Sequence, residues 1–307
     1  MNTSSEPRDH LWLAIMFATI NACMLAGMSL FSKLLAQFYG PVEVTFFRNA
    51  FSLVALVIWF IFAHRLFLMK TARPWAQFVR ATIGTIGIAL GMWAVSMMPL
   101  AETTTLLFTS PLFTTLFSMI ILRERVGPYR IGAIIAGFCG VLIVANPFAE
   151  GGLHIPLLGL IAGLGWGLSS GAVDTILRWI GKTENAFTTT FYFMLFGSLV
   201  CGLHLPFADI KPGAFSVPAL LFIAGIGTCG LISLLSKSQS FRLGEATVIA
   251  PMMYTMLIWS VLFDYLFWDR VPSLNVIAGG CLIVASNLFI MYREARLKKP
   301  KITETTV

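Results

Sequence analysis

The sequence predicts an all-α polytopic membrane protein, with ten transmembrane helices in two inverted five-helix repeats. Three observations predict it. The composition is too apolar for a water-facing surface. Ten apolar runs are each long enough to cross a bilayer. Short segments of the first half recur in the second at a nearly constant offset.

Composition sets the solvent. Of 307 residues, 57% are hydrophobic and 11% charged, and the mean hydropathy is +0.84. Soluble domains carry about a quarter charged residues, so lipid must cover most of this surface. A hydrocarbon core about 30 Å thick takes roughly 20 apolar residues per helix. The apolar runs lie near 11–32, 42–63, 78–98, 101–122, 129–147, 155–177, 186–207, 214–236, 244–267 and 272–292. Backbone polar groups in hydrocarbon must pair internally, which leaves helices or a closed barrel. The runs lack strict alternation and exceed the roughly 10 residues of a barrel strand, so they are helices. The first run is too long for the apolar part of a cleaved leader and reads as span one, behind a polar tail over residues 1–10.

Charge orients the spans. With the N-terminus inside, Arg8, Arg65, Lys70, Arg73, Arg80, Arg123, Arg125, Arg130, Arg178, Lys182, Lys237, Arg242 and the basic tail over 293–307 all fall on the cytoplasmic side. They make up seventeen of the 21 Lys and Arg residues; Lys33, Lys211 and Arg270 fall opposite, and Arg48 lies within a span. This is the positive-inside pattern. It places the chain in the cell (inner) membrane, multi-pass, with both termini cytoplasmic and an even number of spans. The basic residues sit in short loops rather than in a patch, so the net charge of +7 does not point to nucleic acid.

The repeat follows from three matches. Leu100-Ala101-Glu102-Thr103-Thr104 resembles Leu243-Gly244-Glu245-Ala246-Thr247. Leu122-Arg123-Glu124-Arg125-Val126 resembles Phe267-Trp268-Asp269-Arg270-Val271, and Gly132-Ala133 matches Gly279-Gly280. The offsets are 143, 145 and 147 residues. The halves therefore run over 11–147 and 155–292. Five helices per half make the second run in the opposite sense, a construction that gives transporters two exchangeable faces around a midplane site.

Other chemistry is thinly represented. The five cysteines (Cys23, Cys139, Cys201, Cys229, Cys281) form no CxxC pair, and an odd count argues against a disulfide framework. His10, His64, His154 and His204 show no metal-ligand spacing. No metal or other cofactor is expected, and the chain is not expected to be an enzyme. A phosphate-binding GxxxxGK[ST] loop is absent, so transport would draw on a gradient or on exchange. Gly225-x-Gly227-x-x-Gly230 matches a dinucleotide fingerprint but lies inside an apolar run. It reads as small residues for helix packing, like Gly87-xxx-Gly91, Gly163-xxx-Gly167 and Gly167-xxx-Gly171.

A set of motifs carries a family resemblance. Phe47-Arg48-Asn49, the run from Trp93 to Thr104, Phe108-Thr109-Ser110-Pro111-Leu112-Phe113, Arg123-Glu124-Arg125-Val126 and the Gly137–Val144 run resemble the drug/metabolite transporter superfamily, EamA group. The resemblance covers residues 11–292. It implies a central cavity enclosed by spans 1, 3, 4, 6, 8 and 9, with spans 5 and 10 peripheral. It also implies a secondary transporter working by alternating access on a small polar or amphiphilic metabolite. Export of an amino-acid-like or metallophore-like compound is favoured; uptake or exchange of a vitamin or nucleoside-like metabolite such as riboflavin or S-adenosylmethionine is the alternative. A channel or an intramembrane enzyme is the alternative of another class. The halves differ where Tyr192 replaces Arg48 and where Ala250-Pro251-Met252-Met253 replaces the Ser-Pro-Leu-Phe stretch.

Candidate site residues follow from polarity inside the spans. A charge in mid-membrane is costly unless paired or facing a cavity. Arg48 is such a charge; the structural alternative is a pair with Glu43 or Glu102. Glu102, followed by Thr103, Thr104 and Thr105, is the candidate coupling carboxylate for a proton; the alternative is favourable placement at a helix N-terminus, as for its counterpart Glu245. Thr105 and Ser110 offer oxygens beside Pro111; Pro111 and Pro251 would each free a backbone carbonyl. Ser169, Lys237 and Gln239 are polar positions that could line the cavity. Among aromatics, Trp166 and Tyr254 fall well inside their spans, Trp93 lies in the outer half of span three, and Tyr192 stands at the place of Arg48. Lys33 is expected to snorkel, Asp264 to be exposed at the interface, and Asp174 to pair with Arg178. The implied partners are the small-molecule substrate, the bilayer, and a coupled proton or exchanged solute, in a monomer or homodimer.

Overall fold

The computed structural model describes residues 7–121, 128–146, 155–180, 186–208, 211–243 and 251–298. Arg123–Val126, His154, Lys182, Glu245 and Ala250 lie outside the described residues. The helices are α1 (Pro7–Leu35), α2 (Pro41–Phe62), α3 (Pro74–Met97), α4 (Leu100–Leu107), α5 (Ser110–Ile121), α6 (Pro128–Ala145), α7 (Leu157–Ile180), α8 (Ala186–Gly202), α9 (Val217–Leu243), α10 (Thr255–Trp268) and α11 (Leu274–Lys298). Among the described residues, seven are long and apolar enough to cross a membrane, and Ile131–Ala145 and Thr255–Trp268 are shorter apolar helices. The broken pair α4 and α5 supplies the remaining span. Exposed Val54, Ile58 and Ile61 on α2, and Leu262 and Leu266 on α10, belong to the apolar belt that meets lipid.

Chain chemistry sets the ends. Pro41 and Pro74 open α2 and α3, where a missing N–H costs nothing. α10 stops at Asp269, whose left-handed φ of 51° accompanies two closing bonds, its own N–H to Tyr265 O at 3.0 Å and the Arg270 N–H to Asp264 O at 3.2 Å. The expected single helix over 101–122 is instead interrupted at Phe108–Thr109. Pro111 has no N–H and its ring crowds the carbonyl of Leu107, four residues back. The surrounding carbonyls find other donors: Thr109 Oγ1 donates to Leu106 O at 2.7 Å, and Asn287 Nδ2 on α11 donates to Phe108 O at 2.7 Å. Asn287 is 1% exposed. Replacing it with Leu strands that carbonyl and should destabilise the protein by about 1–3 kcal/mol, read as a lower melting temperature in detergent; an unchanged melt would show that the break supports itself.

Packing shows the inverted symmetry. Exchange of the halves turns the α1–α9 contact into α7–α3, α5–α7 into α10–α1, and α3–α8 into α9–α2; all six contacts exist, and α2–α8, α4–α10 and α6–α11 map onto themselves. Directions agree. α1 and α9 run antiparallel, with Gly27 against Cys229 and Gly225 against Phe31. α3 and α7 do the same, with Gly84 at Val173, Gly87 at Ser169 and Gly91 at Trp166. The α4–α5 span is parallel to α7, since Gly163, Gly167 and Gly171 meet Leu106, Thr109 and Phe113 in turn. Spans of like parity are thus parallel and those of unlike parity antiparallel, as alternating crossings require. The dinucleotide-like glycines are packing positions: Gly225 lies against the Phe31 ring and Gly227 against Phe51.

Candidate functional site

Arg48 marks the first of two polar centres inside the bundle. It lies two turns into α2, and its Nη1 donates to Asn49 Oδ1 at 2.9 Å while Nε points at Met28 Sδ on α1, 3.1 Å away. Among the described residues it makes no ion pair. Glu43, the carboxylate proposed for it from sequence, instead faces His204 Nδ1 at 3.1 Å. Glu102 belongs to a different cluster. Around Arg48, Asn49 Nδ2, Ser52 Oγ and Thr85 Oγ1 are buried without a hydrogen-bond partner. A Cβ on Gly197 of α8 would stand 2.5 Å from Asn49 Nδ2 and 2.8 Å from Thr85 Oγ1, so glycine there lets these two groups meet. Unpaired polar atoms are rare in protein interiors and ask for a reason; here three gather beside one uncompensated cation.

The second centre lies near the face opposite the termini. Lys33 Nζ on α1 sits 3.5 Å from Asp264 Oδ1 on α10, donates to Met98 O at 3.0 Å, and lies 4.5 Å from the Trp268 ring centroid. Asp264 Oδ2 accepts from the Ala101 N–H at 2.9 Å and so caps α4. Glu102 is buried in the field of Asp264, Lys33 and Arg270. Two expectations are corrected here. Asp264 is not an interfacial carboxylate but 1% exposed, because both its oxygens are used inside the bundle. Lys33 does not snorkel to water, because a buried carboxylate and a carbonyl hold its ammonium.

The remaining candidates distribute as follows. Thr105 is fully buried, its hydroxyl bonded back to Ala101 O, and Thr104 bonds Ser260 of α10 at 2.8 Å. Ser110 is buried and Pro111 exposed at the start of α5. Trp166 and Ser169 fill the close approach to Gly91 and Gly87 between α7 and α3. Tyr192 donates to Met69 O at 2.9 Å and stacks on Phe196, away from Arg48. Trp93 is 39% exposed and lines a cavity of about 290 Å³ with Ser32, Tyr39, Met92 and Lys211 on the face opposite the termini. Lys237 is exposed and Gln239 half-buried on α9. Pro251 precedes Tyr254, whose ring meets Phe108 edge-on at 5.0 Å. Asp174 lies in the surroundings of Arg80, whose Nη1 donates to Thr189 O at 2.8 Å. Sequence reasoning passed over Asn21, Ser52 and Thr85. A lone amide such as Asn21 inside an apolar run was the available signal.

The EamA-like transporter family matches the chain twice, over residues 12–146 and 157–292. The chain belongs to this family. Its similarity to individual members is spread over nearly the whole length. It is 27% identical over 292 residues to an S-adenosylmethionine uptake transporter of Rickettsia prowazekii, covering 94% of this chain and 93% of that protein. A riboflavin transporter of Rhizobium johnstonii is 29% identical over 231 residues, 75% of this chain and 74% of its own. A pseudopaline exporter of Pseudomonas aeruginosa is 25% identical, covering 91% and 95%. A solved crystal structure superposes at a TM-score of 0.62 with 16% identity, covering 95% of this chain and 99% of its own, a likeness of fold. Family and relatives are transporters of small molecules rather than enzymes, and this chain is a multi-pass membrane transporter with two inverted five-helix halves.

Proposed function

We propose that the chain is a secondary transporter for a small carboxylate-bearing metabolite, amino-acid-like in its charged part, bound at Arg48 and carried by alternating access. The observation that carries this reading is an arginine inside the bundle that no acid pairs with among the described residues, beside three unpaired polar groups. A substrate carboxylate supplies the missing charge and acceptor lone pairs, in the fork geometry that suits guanidinium. S-adenosylmethionine, which one relative takes up, bears such a carboxylate; riboflavin, which another transports, has none. Alternating access requires contacts between the halves to break at one face while forming at the other. Lys33 of the first half and Asp264 of the second make one such contact opposite the termini. Direction follows from whichever solute gradient dominates, so the same machinery serves export or uptake. Glu102, buried beside that contact, is the carboxylate placed to couple a proton. The basic residues put both termini on the cytoplasmic side of the inner membrane, and each chain carries a complete site, so a monomer suffices.

Uptake into proteoliposomes tests the reading. Arg48→Ala should lower apparent affinity for labelled S-adenosylmethionine by about 10–100-fold, as for a lost hydrogen bond to a charged group. Arg48→Lys should lose less, keeping charge without the fork. Unchanged uptake in both variants at equal expression, or preference for riboflavin over S-adenosylmethionine, contradicts it.

A further inference from the structure

Two central side chains each point an N–H at sulfur. Arg48 Nε is 3.1 Å from Met28 Sδ, and Asn21 Nδ2 is 2.9 Å from Met253 Sδ. Thioether sulfur is a weak acceptor, a poor match for a guanidinium and for an amide that is 1% exposed. The amide's orientation follows from its two neighbours, because the thioether has no proton to donate while the Ser233 hydroxyl on α9 can donate to Asn21 Oδ1, 2.7 Å away. Its N–H group is therefore aimed at Met253, at the start of the α10 region. Asn21 and Met28 are seven residues apart on α1, hence on one face and about 10 Å apart along the axis. On α9, Gly230 lies three residues before Ser233. A Cβ there would stand 3.5 Å from the unpaired Ser52 Oγ and 3.9 Å from both Arg48 Nε and Met28 Sδ. Most other helix glycines of the bundle abut a neighbour far more closely, so at Gly230 a methyl group's width separates α9 from Arg48. At the other end Tyr254 follows Met253 and offers a ring.

We infer that Met28 and Met253 hold places that a substrate's own acceptors take. The site then recognises a metabolite with an anionic head at Arg48 and Ser52 and a neutral acceptor, such as a heteroaromatic ring nitrogen, about 10 Å away at Asn21. This rests on the carboxylate reading of Arg48 and adds the second anchor. Replacing sulfur by oxygen or ring nitrogen strengthens both bonds. The methionines keep the donors aimed and, being flexible and polarizable, give way at little cost.

Equilibrium binding to the purified full-length protein decides it, with two probes: S-adenosylmethionine, which has both ends, and methionine, which has the head alone. Asn21→Leu should weaken S-adenosylmethionine by about tenfold, one hydrogen bond's worth, and leave methionine within about twofold. Arg48→Ala should weaken both. Met253→Leu, close in volume, should bind S-adenosylmethionine as tightly as the parent or more tightly, and it decides the matter if Asn21→Leu does not fold. Loss of both probes or of neither in Asn21→Leu, with Arg48→Ala weakened, overturns the second anchor alone. A Met253→Leu variant more than about threefold weaker overturns it too, since the sulfur would then be a true contact. Binding that ignores Arg48→Ala, or a parent that binds neither probe, overturns this inference together with the carboxylate reading.

Discussion

Asp264→Ala is expected to be the most damaging single change in the protein. The carboxylate is 1% exposed, pairs with Lys33 at 3.5 Å and caps α4 through the Ala101 N–H. Removing it strands an ammonium inside the bundle and uncaps a helix at once. Breaking a buried pair by deleting one partner typically costs about 3–5 kcal/mol, a large part of any domain's stability. The protein should melt well below the parent in detergent or fail to accumulate. Asp264→Asn keeps an oxygen for Ala101 and should fall between the two. Replacing both partners with apolar residues, as in Lys33→Met with Asp264→Leu, leaves no unpaired charge and should recover much of the loss. A double variant as unstable as Asp264→Ala would show that the cap alone matters.

Gly279→Val should rank second. α6 and α11 cross so closely that a Cβ on Gly279 would stand 2.5 Å from Gly140 O, and one on Gly140 would stand 2.8 Å from Gly279 O. The obstacle is backbone on both sides, so no rotamer can relieve it and the helices must separate. Overpacking of this kind costs about 1–3 kcal/mol, and separation also forfeits the close contact that small residues give helices in lipid. Gly132 on α6, the partner helix, is the control: nothing lies within 4 Å of its added Cβ, and Gly132→Ala should leave the melt unchanged or raise it slightly. Equal melts for Gly279→Val and the parent would mean that the two helices are not locked at this crossing.

Periodicity and hydropathy made the architecture legible because lipid imposes a simple rule. Each crossing must be a helix, and each helix needs its apolar run. The inverted repeat was legible through short segments that recur at a nearly constant offset, although Gly132 and Gly279 do not hold matching places: Gly279 packs on Gly140 and Gly132 faces open space. Interior polar chemistry was less so. Sequence could flag Arg48 as a charge in a span, but not that Glu43 had been taken by His204, since that depends on how α2 meets the chain after α8. Asp264 looked interfacial by its place in the run, yet its span faces α4, whose helix end needs an acceptor. Pro111 was a visible breaker. The donor that stabilises the break, Asn287, comes from a helix 179 positions away in sequence. Asn21 drew no attention because one neutral amide scarcely alters hydropathy, and only the fold shows its N–H aimed at sulfur.

Counterflow tests the central claim most directly. Proteoliposomes carrying the purified protein, loaded with unlabelled S-adenosylmethionine and diluted into a trace of the labelled compound, should accumulate label transiently above equilibrium. The effect should saturate with substrate, need the internal load, and vanish in Arg48→Ala. Label entry that is indifferent to the internal pool and does not saturate, or that survives the loss of Arg48, would contradict a carrier built around that side chain.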